Sequence, residues 1–450
     1  MTELLAIILA AGEGTRMKSA QPKVLHEVGG LPIAGHVLRA AVDGGASRVA
    51  TVTGPGHDAI RKAMLSIHPD IAFFEQIERR GTAHAAMMAR PAYERAEGYI
   101  AVVYADHPLL RADNFKQIIE RLDAGADAVV LGFEAKDPTG YGRLITDGDR
   151  LLAIREHKDA TDAEREIRLC NACILAFRAD IFRDCIDKVG HNNAQGEYYL
   201  TDLIELANAT GGNVGYVVAP EDDVMGVNDR VQLARAEGLF QNRRRREMML
   251  GGVTLKDPNS TYFSHDTRIA EDVTVEPNVV FGPGVSIESG VTIHAFSHIE
   301  GATIGTGVSV GPFARLRPGA HLGEGVRVGN FVEIKQAEIG AGAKINHLTY
   351  IGDAEIGAKA NIGAGTVTCN YDGHNKSLTV IGERAFIGSN SALVAPVEIG
   401  DDAYVASGSV ITEPVAPDAL GIGRARQINK PGYGKKLHDR FSAIKQSKQG

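Results

Sequence analysis

Cysteine is scarce in this sequence, with four in 450 residues, at 170, 173, 185 and 369. So few and so unevenly placed, they exclude a disulfide framework and point to a reducing compartment, so a cytoplasmic location is expected. Cys170-Asn-Ala-Cys173 has the C-x-x-C spacing, but no second Cys or His pair follows at close range to complete a zinc site. Buried or partly buried free thiols are the expected state. Long apolar runs are missing as well. The strongest, Leu4 to Ala11, has eight residues and no basic segment before it, far short of the roughly 20 that span a bilayer. It reads as a central strand of a parallel sheet, buried on both faces. Nor is there an excess of positive charge: the formal net charge is −8, which argues against a general nucleic-acid binder. The one basic cluster, Arg243 to Arg246, lies among helix formers and reads as a solvated helix face. Neither a nucleic-acid nor a membrane partner is expected.

What is present falls into two halves. Up to about residue 225, strand-like runs such as LLAIILA, RVATVTG and YIAVVYAD alternate with helical patterns such as PIAGHVLRAAVDG and DAIRKAML. That alternation predicts parallel βαβ units and a Rossmann-like, doubly wound α/β domain over residues 1–226. In such sheets ligands bind beyond the carboxyl ends of the strands, where Leu9–Lys23 and Tyr104-Ala105-Asp106 both fall. Residues 227–250 read as a linker helix ended by Gly251-Gly252. Over residues 251–450 the period becomes six. Ile269, Val275, Phe281, Ile287, Ile293 and Ile299 begin a series that resumes at Ile304 and, after an interruption near residue 370, ends at Ile411. Sustained hexapeptide periodicity predicts a parallel β-helix in which each aliphatic residue stacks on its equivalent in the next coil. After about Gly421 the repeat is lost, and the tail reads as a partly flexible terminus.

The loop LAAGEGTRMKSAQPK, Leu9 to Lys23, suits an anion. Gly12 and Gly14 let backbone N–H groups converge without Cβ obstruction, while Arg16 and Lys23 add positive charge. Met17 stands where a dinucleotide fingerprint needs glycine, and no G-K-[ST] follows to make a Walker loop. Phosphate is the expected ligand.

With the residues that follow it, this stretch resembles the signature L-A-A-G-x-G-T-R-M…P-K of sugar-phosphate nucleotidyltransferases. GTAHA at 81–85, PTGYGRL at 138–144, EHKDAT at 156–161, NNAQGEYYLTD at 192–202 and GVNDR at 226–230 come in the order of one member family. That family is the bacterial bifunctional N-acetylglucosamine-1-phosphate uridyltransferase and glucosamine-1-phosphate N-acetyltransferase. Its second domain, a left-handed parallel β-helix, matches the hexapeptide half.

The resemblance implies uridylyl transfer from UTP with Mg²⁺ held by Asp106 and Asn228, hard oxygen ligands of the kind that ion prefers. It implies that Arg16 and Lys23 stabilise charge on the nucleotide phosphates. Leu9, Ala10, Ala11, Gly12, Gln76, Gly81 and Thr82 would hold the uridine. Tyr104, Ala105, Gly142, Glu156, Asn171 and Asn228 would complete the nucleotide-sugar site. The sequence departs from the family pattern at Ala83, Ala105 and Cys173, where glycine is usual, at Ala172, where threonine is, and at Arg79, where glutamine is common. Gly-to-Ala changes remove positive-φ freedom beside the substrates, so substrate fit is where these departures are expected to tell.

In the second half, function must be sought where the repeat is decorated or broken. RLRPGA brings Arg315 and Arg317, INHLTYIGDAEIG brings His347 and Tyr350, and TCNYDGHNKS, Thr368 to Ser377, forces a loop out of the coil. Acetyl transfer to an amine needs a base, and histidine suits neutral pH. One histidine among fifteen carries little signal, but the resemblance makes His347, in the intact N-H-L-T-Y-x-G-D segment, the catalytic base. It also implies Arg317, Lys335, Tyr350 and Asn361 as glucosamine-1-phosphate ligands. Ala364, Ser389, Ser407 and Arg424 would contact acetyl-CoA, with Asn370 and Tyr371 between the two substrates and Ser407 standing where alanine is familiar. It further implies a homotrimer with sites between subunits, and a role in supplying precursor for peptidoglycan and lipopolysaccharide.

Two other readings compete. One is a nucleotidyltransferase with a structural or regulatory β-helix, which would have no use for His347 with Asn370-Tyr371. The other is a non-catalytic assembly factor, which would have no use for Asp106 and Asn228 as paired metal ligands.

Overall fold

The computed structural model describes residues 2–448. Two compact units emerge. One holds the chain up to Leu250 together with Tyr262–Thr267, and the other holds Gly251–Thr261 and the chain from Arg268 onward.

The first unit is built on a nine-stranded sheet in the order Ile71–Glu75, Arg48–Thr53, Leu4–Ala10, Tyr99–Tyr104, Leu169–Arg178, Ala128–Glu134, Val214–Ala219, Arg150–Arg155, Arg143–Asp147. Leu4–Ala10 lies inside the sheet, buried on both faces as its unbroken apolar run demands. Helices cover the two faces over separate apolar cores, one around Ile8, Val37 and Phe115 and the other around Ile7, Tyr93 and Phe182. The sheet departs from a wholly parallel one, because Leu169–Arg178 runs antiparallel to both its neighbours. Its amino-terminal end therefore reaches the edge where the parallel strands finish. Asn171 and Cys173 arrive there beside Tyr104, across a bulge between Asn171 and Leu175.

The helix Arg230–Leu250 belongs to this unit. Phe240 packs where Gly29 has no side chain, since a Cβ there would lie 2.1 Å from the ring. Gln241 is tied to the backbone of Phe263 by hydrogen bonds of 2.7 and 2.8 Å. The expectation of a solvated arginine face is corrected. Arg243 pairs with Asp223 at 2.8 Å, Arg244 donates to the Thr267 carbonyl at 2.8 Å, and Arg245 is buried against the Tyr262 ring, leaving Arg246 exposed. Nothing in a run of four arginines shows which side tertiary contacts will cover.

The second unit is a left-handed parallel β-helix with three sheet faces. Val275 pairs with Ile293 eighteen residues on, so each coil consumes three hexads. The inward residues Ile287, Ile293, Ile299 and Ile304 are each 2% exposed or less. Corners are turned by residues in the left-handed region, including Asp272, Asn278, Lys359 and Asp402 with φ of 55–61°. The segment after Cys369 leaves the coil, folds on itself through a Tyr371–Lys376 bridge and rejoins at Thr379–Ile381. Beyond Leu420–Gly421 the tail contains a helix, Tyr433–Ser447, which the loss of the repeat did not predict. Among the described residues no helix is long and apolar enough to cross a membrane.

Candidate active sites

In the first unit, two adjoining cavities open at the carboxyl edge of the sheet. The first, about 320 Å³, is lined by Leu9 to Gly12, Lys23, Gln76, Arg79, Gly81, Thr82, Tyr104 and Asp106, with Glu197 on its rim. The second, about 340 Å³, is lined by Arg16, Tyr104, His107, Gly142, Glu156, Asn171, Cys173 and Asn228. The first thus gathers the expected uridine residues and the second the expected sugar residues, with Tyr104 between them. Ala10 and Ala105 are buried, and the Ala105 N–H donates to the Leu9 carbonyl at 3.0 Å, so these two positions shape the strand ends.

Two glycines of the first cavity have steric duties. Gly14 has φ 62°, and a Cβ there would come within 2.4 Å of Lys23 Cβ, so its bareness lets the loop close over the lysine. Gly81 has φ 117° and sits against the Tyr198 backbone. The side chain of Gln76 donates to the Gly81 carbonyl at 3.1 Å, and Thr82 Oγ1 accepts from the Leu200 amide at 2.9 Å.

The charges at the junction interlock. Lys23 Nζ reaches Asp106 Oδ2 at 2.6 Å and Asn228 Oδ1 at 2.9 Å. Burial pushes the Asp106 carboxyl up, but His107 and Lys23 more than offset this and hold it below the usual carboxylate range. Asp106 Oδ1 lies 2.8 Å from His107 Nδ1 and makes no other hydrogen bond. A divalent cation fits these residues: two hard oxygens from distant parts of the chain already converge on one positive charge. Among the described residues no cluster of three or more His, Cys, Asp or Glu forms a full cage. Two such oxygens are a usual protein share for Mg²⁺, whose other ligands are waters and substrate phosphates.

In the second cavity, Glu156 is pushed up by burial and accepts from Thr201 at 3.1 Å. Asn171 Oδ1 has no protein partner and Arg16 is exposed at the mouth. Of the departures from pattern, Ala83 and Ala105 adopt no positive φ, but Cys173 does, at 76°. Its thiol is buried, as are those of Cys170 and Cys185, and all four cysteines are free. Burial pushes Cys170 up to about 11. Residue order alone gave no role to His107, Thr201 or Arg79, although His107 adjoins the expected ligand Asp106.

In the second unit, His347 and the expected coenzyme residues share one corner. The Gly365 amide donates to the His347 carbonyl at 3.2 Å, Asn390 to Ala364 at 2.7 Å and Gly408 to Ser389 at 2.8 Å. His347, Ala364, Ser389 and Ser407 therefore stand one per coil, and Arg424 continues the column beside Gly408. The left-handed position that follows Ala364, Ser389 and Ser407 is small, namely Gly365, Asn390 and Gly408. In the coils before, it is Phe296, Phe313, Phe331 and Leu348. His347 Nδ1 lies 2.8 Å from Asn330 Oδ1.

Around the corner, Arg317 pairs with Glu333 at 2.8 Å, and Lys335 lies in register with Gly352, over which the Tyr350 hydroxyl sits. Asn370 is buried and donates to Asp353, while Tyr371 is exposed. Lys376 was not foreseen; its ammonium faces Lys335 and, with Arg317, depresses the Lys335 pKa. Three cations so gathered suit a phosphate. The structure does not bring Asn361 to this set. Its strand lies on another face, in register with Lys344 and Phe386.

Comparison with known proteins finds relatives for both units. Residues 6–169 match the MobA-like NTP transferase domain, and 266–301, 301–336 and 378–413 match the bacterial transferase hexapeptide (six repeats). The bifunctional protein GlmU of Brucella anthropi is 56% identical over 99% of this chain and 98% of its own length. That of Sinorhizobium medicae is 55% identical, covering 98% and 97%. That of Bartonella quintana is 49% identical over the full length of both. With a nucleotidyltransferase domain, a hexapeptide transferase domain and relatives this similar end to end, the chain belongs to the family of bifunctional GlmU proteins.

Proposed function

We propose that the chain acetylates glucosamine-1-phosphate from acetyl-CoA in its β-helix and then joins the product to UTP in its α/β unit. The products would be UDP-N-acetylglucosamine and pyrophosphate, a precursor supply for peptidoglycan and lipopolysaccharide made in the cytoplasm. The observation that carries the two-activity reading is the column of His347, Ala364, Ser389 and Ser407 along one corner. A purely structural coil has no need of it.

For acetyl transfer, the amine nitrogen attacks the thioester carbonyl, the C–S bond breaks and the thiol leaves. Asn330 Oδ1 accepts from His347 Nδ1, which leaves Nε2 free to take the amine proton. Arg317, Lys335 and Lys376 hold the phosphate. Gly365, Asn390 and Gly408 leave room for the coenzyme along the corner, with Arg424 at its far end. Tyr350, Asn370 and Tyr371 complete the sugar side, and Asn361 serves from its separate face.

For uridylyl transfer, an oxygen of the sugar phosphate attacks the α-phosphorus and pyrophosphate departs. Asp106 and Asn228 would hold Mg²⁺, which supplies neutralisation of phosphate charge. Lys23 and Arg16 neutralise the rest. Gln76, Gly81 and Thr82 orient the base, while Gly142, Glu156 and Asn171 orient the sugar.

The assembly is a homotrimer. Phe296, Phe313 and Phe331 stack at 4.9 and 5.2 Å between ring centroids. They are 46–55% exposed in left-handed positions that bulky residues avoid. Burial within the chain does not repay that strain, whereas a second copy laid along the corner does, and it would bring Asn361 to a neighbour's Arg317 and Lys335.

The test mixes glucosamine-1-phosphate, acetyl-CoA, UTP and Mg²⁺ with the protein and follows thiol and pyrophosphate. Both should appear. His347→Ala should stop thiol release while pyrophosphate still forms from supplied N-acetylglucosamine-1-phosphate, and full thiol release by that variant would remove His347 as the base.

A further inference from the structure

The nucleotide cavity is lined by two cations, Lys23 and Arg79, against two carboxylates, Asp106 and Glu197. Without Arg79 the lining would be net negative, an unfavourable place for a triphosphate. Lys23 is already engaged by Asp106 and Asn228 and is only 11% exposed. Arg79 is held differently. Its Nε donates to the Ala11 carbonyl at 2.9 Å and its Nη1 to the Glu13 carboxylate, while its Nη2 lies against Gly54, where a Cβ would come within 3.0 Å. One guanidinium thus ties together the ends of the strands Leu4–Ala10, Arg48–Thr53 and Ile71–Glu75 at the edge where the ligand enters. The Ala11 carbonyl fixes its position. Glu13 is 58% exposed and sits on the anion loop itself, so this carboxylate is the replaceable partner.

We propose that Arg79 is a further nucleotide-binding residue that exchanges Glu13 for the phosphate chain of the incoming nucleotide. The inference rests on the reading that this cavity takes UTP. A guanidinium offers paired N–H donors that match phosphate oxygens, and exchanging an exposed ion pair for a multiply charged anion is favourable. Glu13 would hold Arg79 in place before the nucleotide arrives and then turn out to solvent. Arg79 acts on the phosphates and not on the base, which is the part assigned to Gln76 and Gly81.

The experiment measures the KM for UTP and the inhibition constant of uridine, which lacks phosphates, in the full chain and in Arg79→Gln, Glu13→Gln and the double variant. Arg79→Gln should raise the KM for UTP about tenfold and leave uridine inhibition within about twofold. Glu13→Gln alone should lower the KM for UTP, and it should do so more strongly in the Arg79→Gln background, where the carboxylate is uncompensated. Equal losses for UTP and uridine would make Arg79 a mere wall of the cavity and overturn the proposal, as would an unchanged KM. Should Arg79→Gln not fold, a rise in KM for UTP on Glu13→Gln would overturn it alone. Failure of the unaltered protein to use UTP would instead reject the underlying reading.

Discussion

The two candidate sites differ in how far each is finished within one chain. In the α/β unit, Lys23, Asp106 and Asn228 lock together across the sheet edge, largely buried, with two cavities already formed beside them. In the β-helix, His347, Ser389, Ser407 and Arg424 are all exposed on a corner, Lys376 is exposed on the inserted loop, and Asn361 lies on a different face from Arg317 and Lys335. A sheet edge is concave where loops rise from several strands, so one chain can enclose a ligand there. A prism corner is convex, and in the proposed trimer a neighbouring copy would supply its second wall.

That contrast can be broken most severely at Asp106. Asp106→Asn should cut pyrophosphate formation about a thousandfold or more and leave thiol release unchanged, because the α/β site stands or falls on its interlocked charges. Next in size is Phe313→Glu, which places a charge in the aromatic column. It should shift the mass measured by light scattering to that of one chain and lower acetyl transfer by tenfold or more, while uridylyl transfer persists at the same dilution. If acetyl transfer survived in that single chain, the borrowed wall would be refuted.

Lys376→Ala should raise the KM for glucosamine-1-phosphate about tenfold with little change in kcat, separating phosphate binding from the base. The smallest effect concerns Asp202, beside the sugar cavity, whose pKa burial and Glu205 push up to about 6. Between about pH 4 and 6 the unfolded chain loses this proton first, so stability falls as pH rises through that window. Asp202→Asn should remove that loss, adding about 1 kcal/mol at pH 7 after allowance for partial exposure, read by thermal melts at pH 4 and 7.

Much of the architecture was legible because it repeats. Inward residues such as Val275, Ile293 and Val310 recur on a fixed period, and only a stacked coil buries them all. The unbroken apolar run at Leu4 likewise demanded a strand covered on both faces. The antiparallel sense of Leu169–Arg178 was not legible, since an apolar strand has no direction until its neighbours are in place. The roles of Arg79 and Lys376 depend on contacts that no spacing encodes: Arg79 meets Ala11 across 68 residues, and Lys376 meets Lys335 only because the inserted loop folds back. Arg243 to Arg245 were misread for the same reason.

By itself, then, the sequence determined the two halves, the period of the second, and the glycine and basic residues of the anion loop, because period and local chemistry are written in neighbouring positions. The tertiary structure alone decided that Asp106 and Asn228 share one cation, that His347 heads a column of small corner residues, and that Asn361 stands apart from its expected partners. Each of these follows from where strands end and coils turn, which is fixed by packing the whole chain and not by any stretch of it.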